Sequence, residues 1–285
     1  MAAVLMTFET LTFTQSRIGM NDIYFLFFIL VAFYFLISEK FLPSGIFFGL
    51  AAASKWTSVY FLFIVLFYLL WKWLAEKKRS NYFLLTTCYL LIPVLIYLGS
   101  YLPFFLQGKG WGEFWHLQQQ MYWYHTQLTA THPYQSAWFT WPFNLRPVYY
   151  YLSDLGEKVA KIYAIGNPAI FWGGFISLWF VIVRVFQKLD FRFLLLIFAY
   201  FAFFLPWAVS PRIMFLYHYL PSLPFLILLL AANLEGLWDY KFGKVLAGSF
   251  LLLTASLFIY FYPHVAAVPV TEAWDNQYYW ISSWR

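Results

Sequence analysis

Of the 285 residues, 63% are hydrophobic, 26% are aromatic and only 11% are charged. A soluble domain carries about 45–50% apolar and about 25% charged residues, so this composition excludes an ordinary globular enzyme and defines a polytopic membrane protein. The net charge of +6 comes from cations scattered among short loops, with no basic run longer than Lys77-Lys78-Arg79. That pattern fits membrane topology and argues against nucleic acid as a partner.

Residues 1–15 are mostly apolar, lack a basic leader and carry Glu9 in their middle, so they make a poor signal peptide. They are also shorter than the ~20 residues that cross a bilayer, and the expectation is the back half of a helix whose front half precedes Met1. Further apolar runs cover 22–38, 43–56, 57–75, 82–102, 168–187, 192–210, 213–233 and 243–262. The stretch 43–75 is too long for one span and slightly short for two. Lys40 and the cations at 72–79 flank it, and the positive-inside rule puts both on the inner side. The chain must therefore turn back at Lys55-Trp56, on the far side.

Alternating from that turn places Lys40, Lys72, Lys77, Lys78, Arg79, Arg184, Lys188, Arg192, Lys241 and Lys244 inside. The expected fold class is all-α, with about eight full transmembrane helices, a partial N-terminal one and one large external aromatic loop. Cys88 is the only cysteine, which excludes an internal disulfide; within an apolar span it reads as a small buried packing residue.

The external loop covers residues 103–167. Within it Trp111, Phe114, Trp115, Met121, Tyr122, His125 and Leu128 recur at helical spacing around Gln118–Gln120, which predicts an amphipathic helix lying in the headgroup region. An ordinary aromatic belt is the plainer reading of the same stripe. The tail, 263–285, ends outside and lacks a helical apolar period. His116, His125 and His132 share the loop at spacings that fit no compact metal site, so no metal is expected.

Four cations stand where a span meets the outer face: Arg17, Lys55, Arg146 and Arg212. A bilayer penalises stray cations, so their clustering beside an aromatic loop points to an anionic headgroup, a lipid phosphate. Arg17 and Asp22 sit five apart in a tight turn; a pair closing the hairpin competes with phosphate recognition by the guanidinium. Lys55 follows the small residues 51–54, where a snorkelling lysine is common. Trp141-Pro142-Phe143-Asn144-Leu145-Arg146-Pro147 sets an arginine among aromatic rings, and Trp141 and Tyr149 are candidates to line a sugar or acceptor. His218, expected about two turns into a span that starts near Arg212, is a further binding candidate, or else the donor of an interhelical hydrogen bond. A phosphate loop, HExxH and G-x-S-x-G are all absent, which favours a lipid-linked donor over a soluble sugar nucleotide.

In this order the patterns resemble the protein O-mannosyltransferases that use dolichyl- or polyprenyl-phosphate mannose, of the C-type glycosyltransferase membrane fold. Ser16-Arg17 with Asp22 looks like the family's turn after its third span, and Ala53-Ser54-Lys55-Trp56 resembles its Thr-Lys-Trp element. His132-Pro133-Tyr134, Trp141-Pro142, Arg146-Pro147 and Gly166-Asn167-Pro168 look like the start of its C-terminal four-span region. Arg212 through Pro221 is similar to another element there. The 65-residue loop cannot hold the sugar-binding-like domain of eukaryotic members and so resembles the bacterial branch.

The resemblance implies four parts: 1–102 as the second half of a catalytic transmembrane region, 103–167 as external loop, 168–262 as four-span region and 263–285 as external tail. It implies inverting transfer of mannose from a polyprenyl phosphate to Ser or Thr of an exported protein, at the external face of a bacterial plasma membrane. The lipid-phosphate sugar is then a substrate, no cofactor is expected, and a membrane partner subunit is compatible. The family's catalytic Asp-Glu pair lies before its third span, so it is expected upstream of Met1 and no catalytic residue is assigned here. A transferase acting on a glycolipid or cell-wall glycan, a non-catalytic fragment or subunit, and a transporter are the competing readings; a transporter would place its charges at mid-membrane.

Overall fold

The first apolar segment is broken near its middle. In the computed structural model, which describes residues 1–77 and 81–285, helix α1 (Ala2–Thr7) stops at Phe8, and Glu9 starts α2 (Thr10–Arg17) by accepting from the Leu11 and Thr12 amides. A carboxylate placed among apolar residues finds its acceptor role at a helix N-terminus, where backbone amides need one. The expected single helix over 1–15 is therefore two.

Next come α3 (Asn21–Ile37) and α4 (Phe41–Ser54). Lys55 is fully extended, and a 3-10 turn at Trp56–Tyr60 leads into α5 (Phe61–Glu76), so the break expected at Lys55-Trp56 is present. Lys78 and Arg79, expected on the inner side, lie outside the described residues; Lys72 there is bonded to Glu39 and Glu76. Then α6 (Tyr82–Thr86) passes through a π turn at Thr87–Leu91 into α7 (Ile92–Ser100) and α8 (Leu102–Leu106). Cys88 is fully buried, as a packing residue should be, and a side chain on Gly45 of α4 would collide with the Cys88 carbonyl. Only glycine lets those two backbones approach so closely.

The loop helix α9 spans Trp111–Thr126, close to its predicted position, with Phe114 buried and Trp111, Trp115 and Tyr122 exposed along one stripe. After it the chain forms strands, a departure from the all-α expectation within a mostly helical fold. β1 (Val148–Asp154) and β2 (Lys158–Ala164) make an antiparallel hairpin, and β3 (Val270–Thr271) of the tail adds to β2. The aromatic run at 149–151 concealed this, because tyrosines suit both an aromatic belt and a pleated strand.

The four-span region holds α10 (Pro168–Gln187), α11 (Phe191–Phe204), α12 (Leu223–Leu237) and α13 (Lys241–Ala266), and α14 (Glu272–Asp275) follows in the tail. Among the described residues five helices are long and apolar enough to cross a membrane, and the pair α2 with α3 would make a sixth. The helices at 41–54 and 223–237 are shorter, so the eight full spans expected from the sequence are not all full-length. The expected span at 213–233 is helical only from Leu223, because Leu205–Val209 and Leu216–Tyr219 wind into short 3-10 turns around Pro206, Pro211 and Pro221.

The chain forms two compact units. One comprises Met1–Gly19, Ala130–Ala208 and Ile213–Arg285; the other comprises Met20–Thr129 and Val209–Arg212. The first has a core in which Tyr163, Ile165, Phe261, Val265, Tyr278 and Trp284 pack together, fastening the tail to the hairpin and α13. Its helices are pinned by Asn167, whose side chain donates to the carbonyls of Phe8 and Thr254 and caps α10. In the second, Gly45 and Gly49 let α4 lie against the π turn and α7.

Candidate functional site

Three of the sequence candidates, Asp22, Lys55 and Arg212, fall in the second unit. Asp22 sits in the first turn of α3, buried, and its carboxylate accepts from Lys55 Nζ at 2.5 Å. Lys55 takes its position from the extended residue that ends α4, so the chain break itself aims the cation at Asp22. The partial positive charge of the α3 N-terminus further favours a carboxylate there.

Arg212 Nη1 donates to His125 Nδ1 at 2.9 Å, and its guanidinium lies over the Tyr124 ring. Because arginine only donates, His125 must accept at Nδ1 and carry its proton on Nε2. Burial lowers the His125 pKa, and the charges of Arg212 and Lys55 lower it further, so the imidazole stays neutral. Trp56 stacks on the same imidazole with ring centroids 6.0 Å apart. The Trp56 indole donates to Tyr97, and the Tyr97 hydroxyl in turn donates to Gln118 of α9. Two buried polar atoms here, Gln118 Nε2 and Thr57 Oγ1, have no hydrogen-bond partner among the described residues.

The arrangement is two cations, an aromatic plate formed by Trp56 and His125, and two donors without protein acceptors. His125, Trp56, Tyr97 and Gln118 were not among the sequence candidates. The helical period did place Gln118 and His125 on α9, yet nothing in the period shows which arginine His125 meets.

The remaining candidates belong to the first unit. Arg17 ends α2, is exposed and lies over Phe13; it has no hydrogen-bond partner among the described residues. Arg146 is engaged very differently. Nε and Nη2 donate to the Pro133 carbonyl, and Nη1 donates to the carbonyls of Ser283 and Arg285. The grip is mutual, since Ser283 Oγ donates to the Leu145 carbonyl and Trp284 Nε1 to the Asn144 carbonyl. Asn144 holds the corner, with a left-handed φ of 57° and its side-chain amide bonded to both polar groups of Gly166. The Asn-Leu-Arg-Pro corner is thus a latch for the tail.

Trp141 is fully buried, its Nε1 bonded to Ser136 and its ring against Phe204, Trp207 and His218. Burial removes it from direct contact with a sugar or acceptor. His218 is also buried; it lies in the 3-10 turn and not inside a span helix, and its Nδ1 accepts from the Phe215 amide within a stack that includes Trp141 and Tyr217. That places both in the aromatic core. Tyr149, half-buried on β1, packs on Tyr134 and Tyr163, and burial raises its pKa, so it stays a neutral hydroxyl. Among the described residues no group of three or more His, Cys, Asp or Glu could hold a metal ion.

An apolar helical scaffold carrying polar clusters at the ends of its helices defines a multi-pass membrane protein. Residues 1–107 match the family described as dolichyl-phosphate-mannose-protein mannosyltransferase. Residues 110–284 match the C-terminal four TMM region of protein-O-mannosyltransferase. The chain belongs to the protein O-mannosyltransferase family.

Among curated relatives, the polyprenol-phosphate-mannose–protein mannosyltransferase of Mycolicibacterium smegmatis is 27% identical over 85% of this chain and 57% of its own length. Its Mycobacterium tuberculosis counterpart is 27% identical over 85% and 56%. A dolichyl-phosphate-mannose–protein mannosyltransferase of Saccharomyces cerevisiae is 27% identical over 60% of this chain and 23% of its own. The chain thus spans little more than half the length of these two bacterial relatives. Among solved structures, the S. cerevisiae protein O-mannosyltransferase Pmt1-Pmt2 complex bound to the sugar donor superposes with a TM-score of 0.52 at 22% identity, over 73% of this chain and 27% of that one. That likeness shows a shared fold.

Proposed function

We propose that this chain is part of an enzyme that transfers mannose, with inversion, from a polyprenyl-phosphate donor to Ser or Thr hydroxyls of exported proteins, at the external face of a bacterial plasma membrane. The observation that carries the reading is the cluster in which Lys55 rests on Asp22 and Arg212 rests on neutral His125. Breaking the bond between sugar and phosphate leaves negative charge on the phosphate, and preplaced cations stabilise that charge as it grows. Lys55 and Arg212 serve this role; Arg17, in the first unit, remains a phosphate candidate by itself. Trp56, partly exposed, offers a face for a sugar ring. Tyr149 remains a candidate for the acceptor side.

Asp22 is a holding residue in this scheme, because its carboxylate already carries Lys55. The base that accepts the proton of the acceptor hydroxyl is assigned to none of these residues. The donor is a substrate and no cofactor is invoked. The bacterial relatives are named for a polyprenol-phosphate-mannose donor and a protein acceptor, and the yeast neighbour is a complex of two chains, which supports including a membrane partner subunit in the reading.

The test is an incubation of membranes containing the protein with labelled polyprenyl-phosphate mannose, a Ser/Thr peptide and a glycolipid acceptor. Label released from the peptide by β-elimination is the expected result. Label found only on lipid or glycan would overturn the reading in favour of a glycolipid transferase.

A further inference from the structure

The Trp56 indole is held by hydroxyls and an amide that the phosphate chemistry does not use. Its Nε1 donates to the Tyr97 hydroxyl at 2.8 Å. Tyr97 has one proton to give, and it goes to Gln118 Oε1 at 2.5 Å. The Tyr101 hydroxyl, 3.1 Å away, must then be a second donor to Tyr97. That one oxygen has its proton and both acceptor positions engaged, by Trp56 from the 3-10 turn after α4, Tyr101 where α7 ends and Gln118 from α9. A single acceptor would satisfy the indole. An acceptor fixed from three sides also sets the direction in which the N–H points. Tyr101 is itself seated against the buried Phe114 of α9, with ring centroids 4.9 Å apart. Two turns beyond Gln118 the same helix carries His125, on which Trp56 stacks. The indole is thus held both at its nitrogen and against the imidazole, and all of these residues belong to one unit.

We propose that Tyr97 and Gln118 are positioning residues for sugar recognition: through the Tyr97 hydroxyl they set the plane of the Trp56 indole on which the donor's sugar ring packs. The proposal rests on the reading of Trp56 as a sugar face. A pyranose meets an aromatic ring through the C–H groups of one side, so a plate with a fixed plane favours one presentation of the sugar. A freely turning indole would accept many presentations and would lose more side-chain freedom on binding. The phosphate end of the donor is separate in this scheme. Lys55 is held by Asp22 and Arg212 by His125, and neither bond passes through Tyr97. Disturbing Tyr97 should therefore weaken recognition of the sugar and spare that of the phosphate.

The experiment uses the full chain in nanodiscs and measures Kd for two ligands, polyprenyl-phosphate mannose and bare polyprenyl phosphate. Tyr97→Phe keeps the ring and removes the hydroxyl. It should weaken the mannose-bearing lipid about fivefold and leave the bare lipid nearly unchanged. Gln118→Met removes only the acceptor of the Tyr97 proton, and it gives a milder shift of about twofold in the same direction should Tyr97→Phe fail to fold. Trp56→Phe keeps an aromatic face without an N–H, so in that background Tyr97→Phe should change nothing further. Equal weakening of both lipids would overturn the proposal, as would independent effects of the Tyr97 and Trp56 replacements, since loosened packing alone gives both results. Trp56→Ala separates this proposal from the reading beneath it. If Trp56→Ala leaves the ratio of the two Kd values at its wild-type level, Trp56 is not a sugar face and the positioning role falls with it. If Trp56→Ala shifts that ratio while Tyr97→Phe and Gln118→Met do not, only the positioning role falls. Binding of neither lipid would remove the phosphate reading as well.

Discussion

Two arginines that look alike in the sequence, Arg146 and Arg212, are held in opposite ways. Arg146 faces backbone carbonyls of Pro133, Ser283 and Arg285, which no ligand can replace without unfastening the tail. Arg212 faces the imidazole of His125, a side chain that can rotate or change its protonation to make room for an anion. A cation at the end of a span therefore signals either a binding site or a latch. What separates the two is the partner, which the sequence does not display.

The largest effects should come from breaking the latch. Trp284 is 2% exposed and its indole donates to Asn144, so Trp284→Ala should cost about 3–5 kcal/mol, seen as a lowered Tm and rapid proteolysis of residues 267–285. An unchanged cleavage rate would mean that the tail is held elsewhere. Next in size is the buried pair of the other unit. Lys55→Met leaves the Asp22 carboxylate, 5% exposed, without its cation and should cost about 3 kcal/mol. The double variant Lys55→Met, Asp22→Asn should regain most of that stability without regaining mannose transfer. Recovery of transfer as well would remove Lys55 from the phosphate site.

Much of the scaffold was legible because hydrophobic runs and lysine placement report directly on the bilayer. The break at Lys55-Trp56 was deduced from charge alone, and α9 from its aromatic period. The hairpin was hidden because Tyr149–Tyr151 and Val159–Tyr163 satisfy strand and interface preferences equally. His218 was misplaced because hydropathy does not register the prolines that unwind 205–222. The pairing of Lys55 with Asp22 and of Arg212 with His125 joins residues 33 and 87 positions apart, a separation over which no local pattern carries information.

Conservative replacements of the two arginines sharpen the contrast at smaller energies. Lysine cannot reproduce four directed donor contacts, so Arg146→Lys should destabilise by about 1–2 kcal/mol and expose the tail to protease. Arg212→Lys should leave tail protection intact and weaken donor use about tenfold, measured as KM for polyprenyl-phosphate mannose. If Arg146→Lys loses transfer while its tail stays protected, Arg146 contacts the donor after all.

The smallest expected effects are the pH responses of the two regions. In the latch unit Asp275 is bonded to Lys161 at 2.5 Å and to His264. Burial alone would raise its pKa, but His264 and Lys161 together outweigh burial and hold it below the usual carboxylate range. A depressed acid contributes stability above its unfolded pKa, near 3.9, and loses it as pH falls through the folded value. His125 is also depressed, but it is a base. Between its unfolded pKa, near 6.5, and its lower folded one, the unfolded chain binds the extra proton, so stability falls with pH in that window and is full above it. Acidification from pH 7.5 to 5.5 should therefore lower the Tm of the wild type by about 1–2 °C more than that of His125→Gln. A His125→Gln variant with the wild-type pH response would remove His125 as the source of that loss.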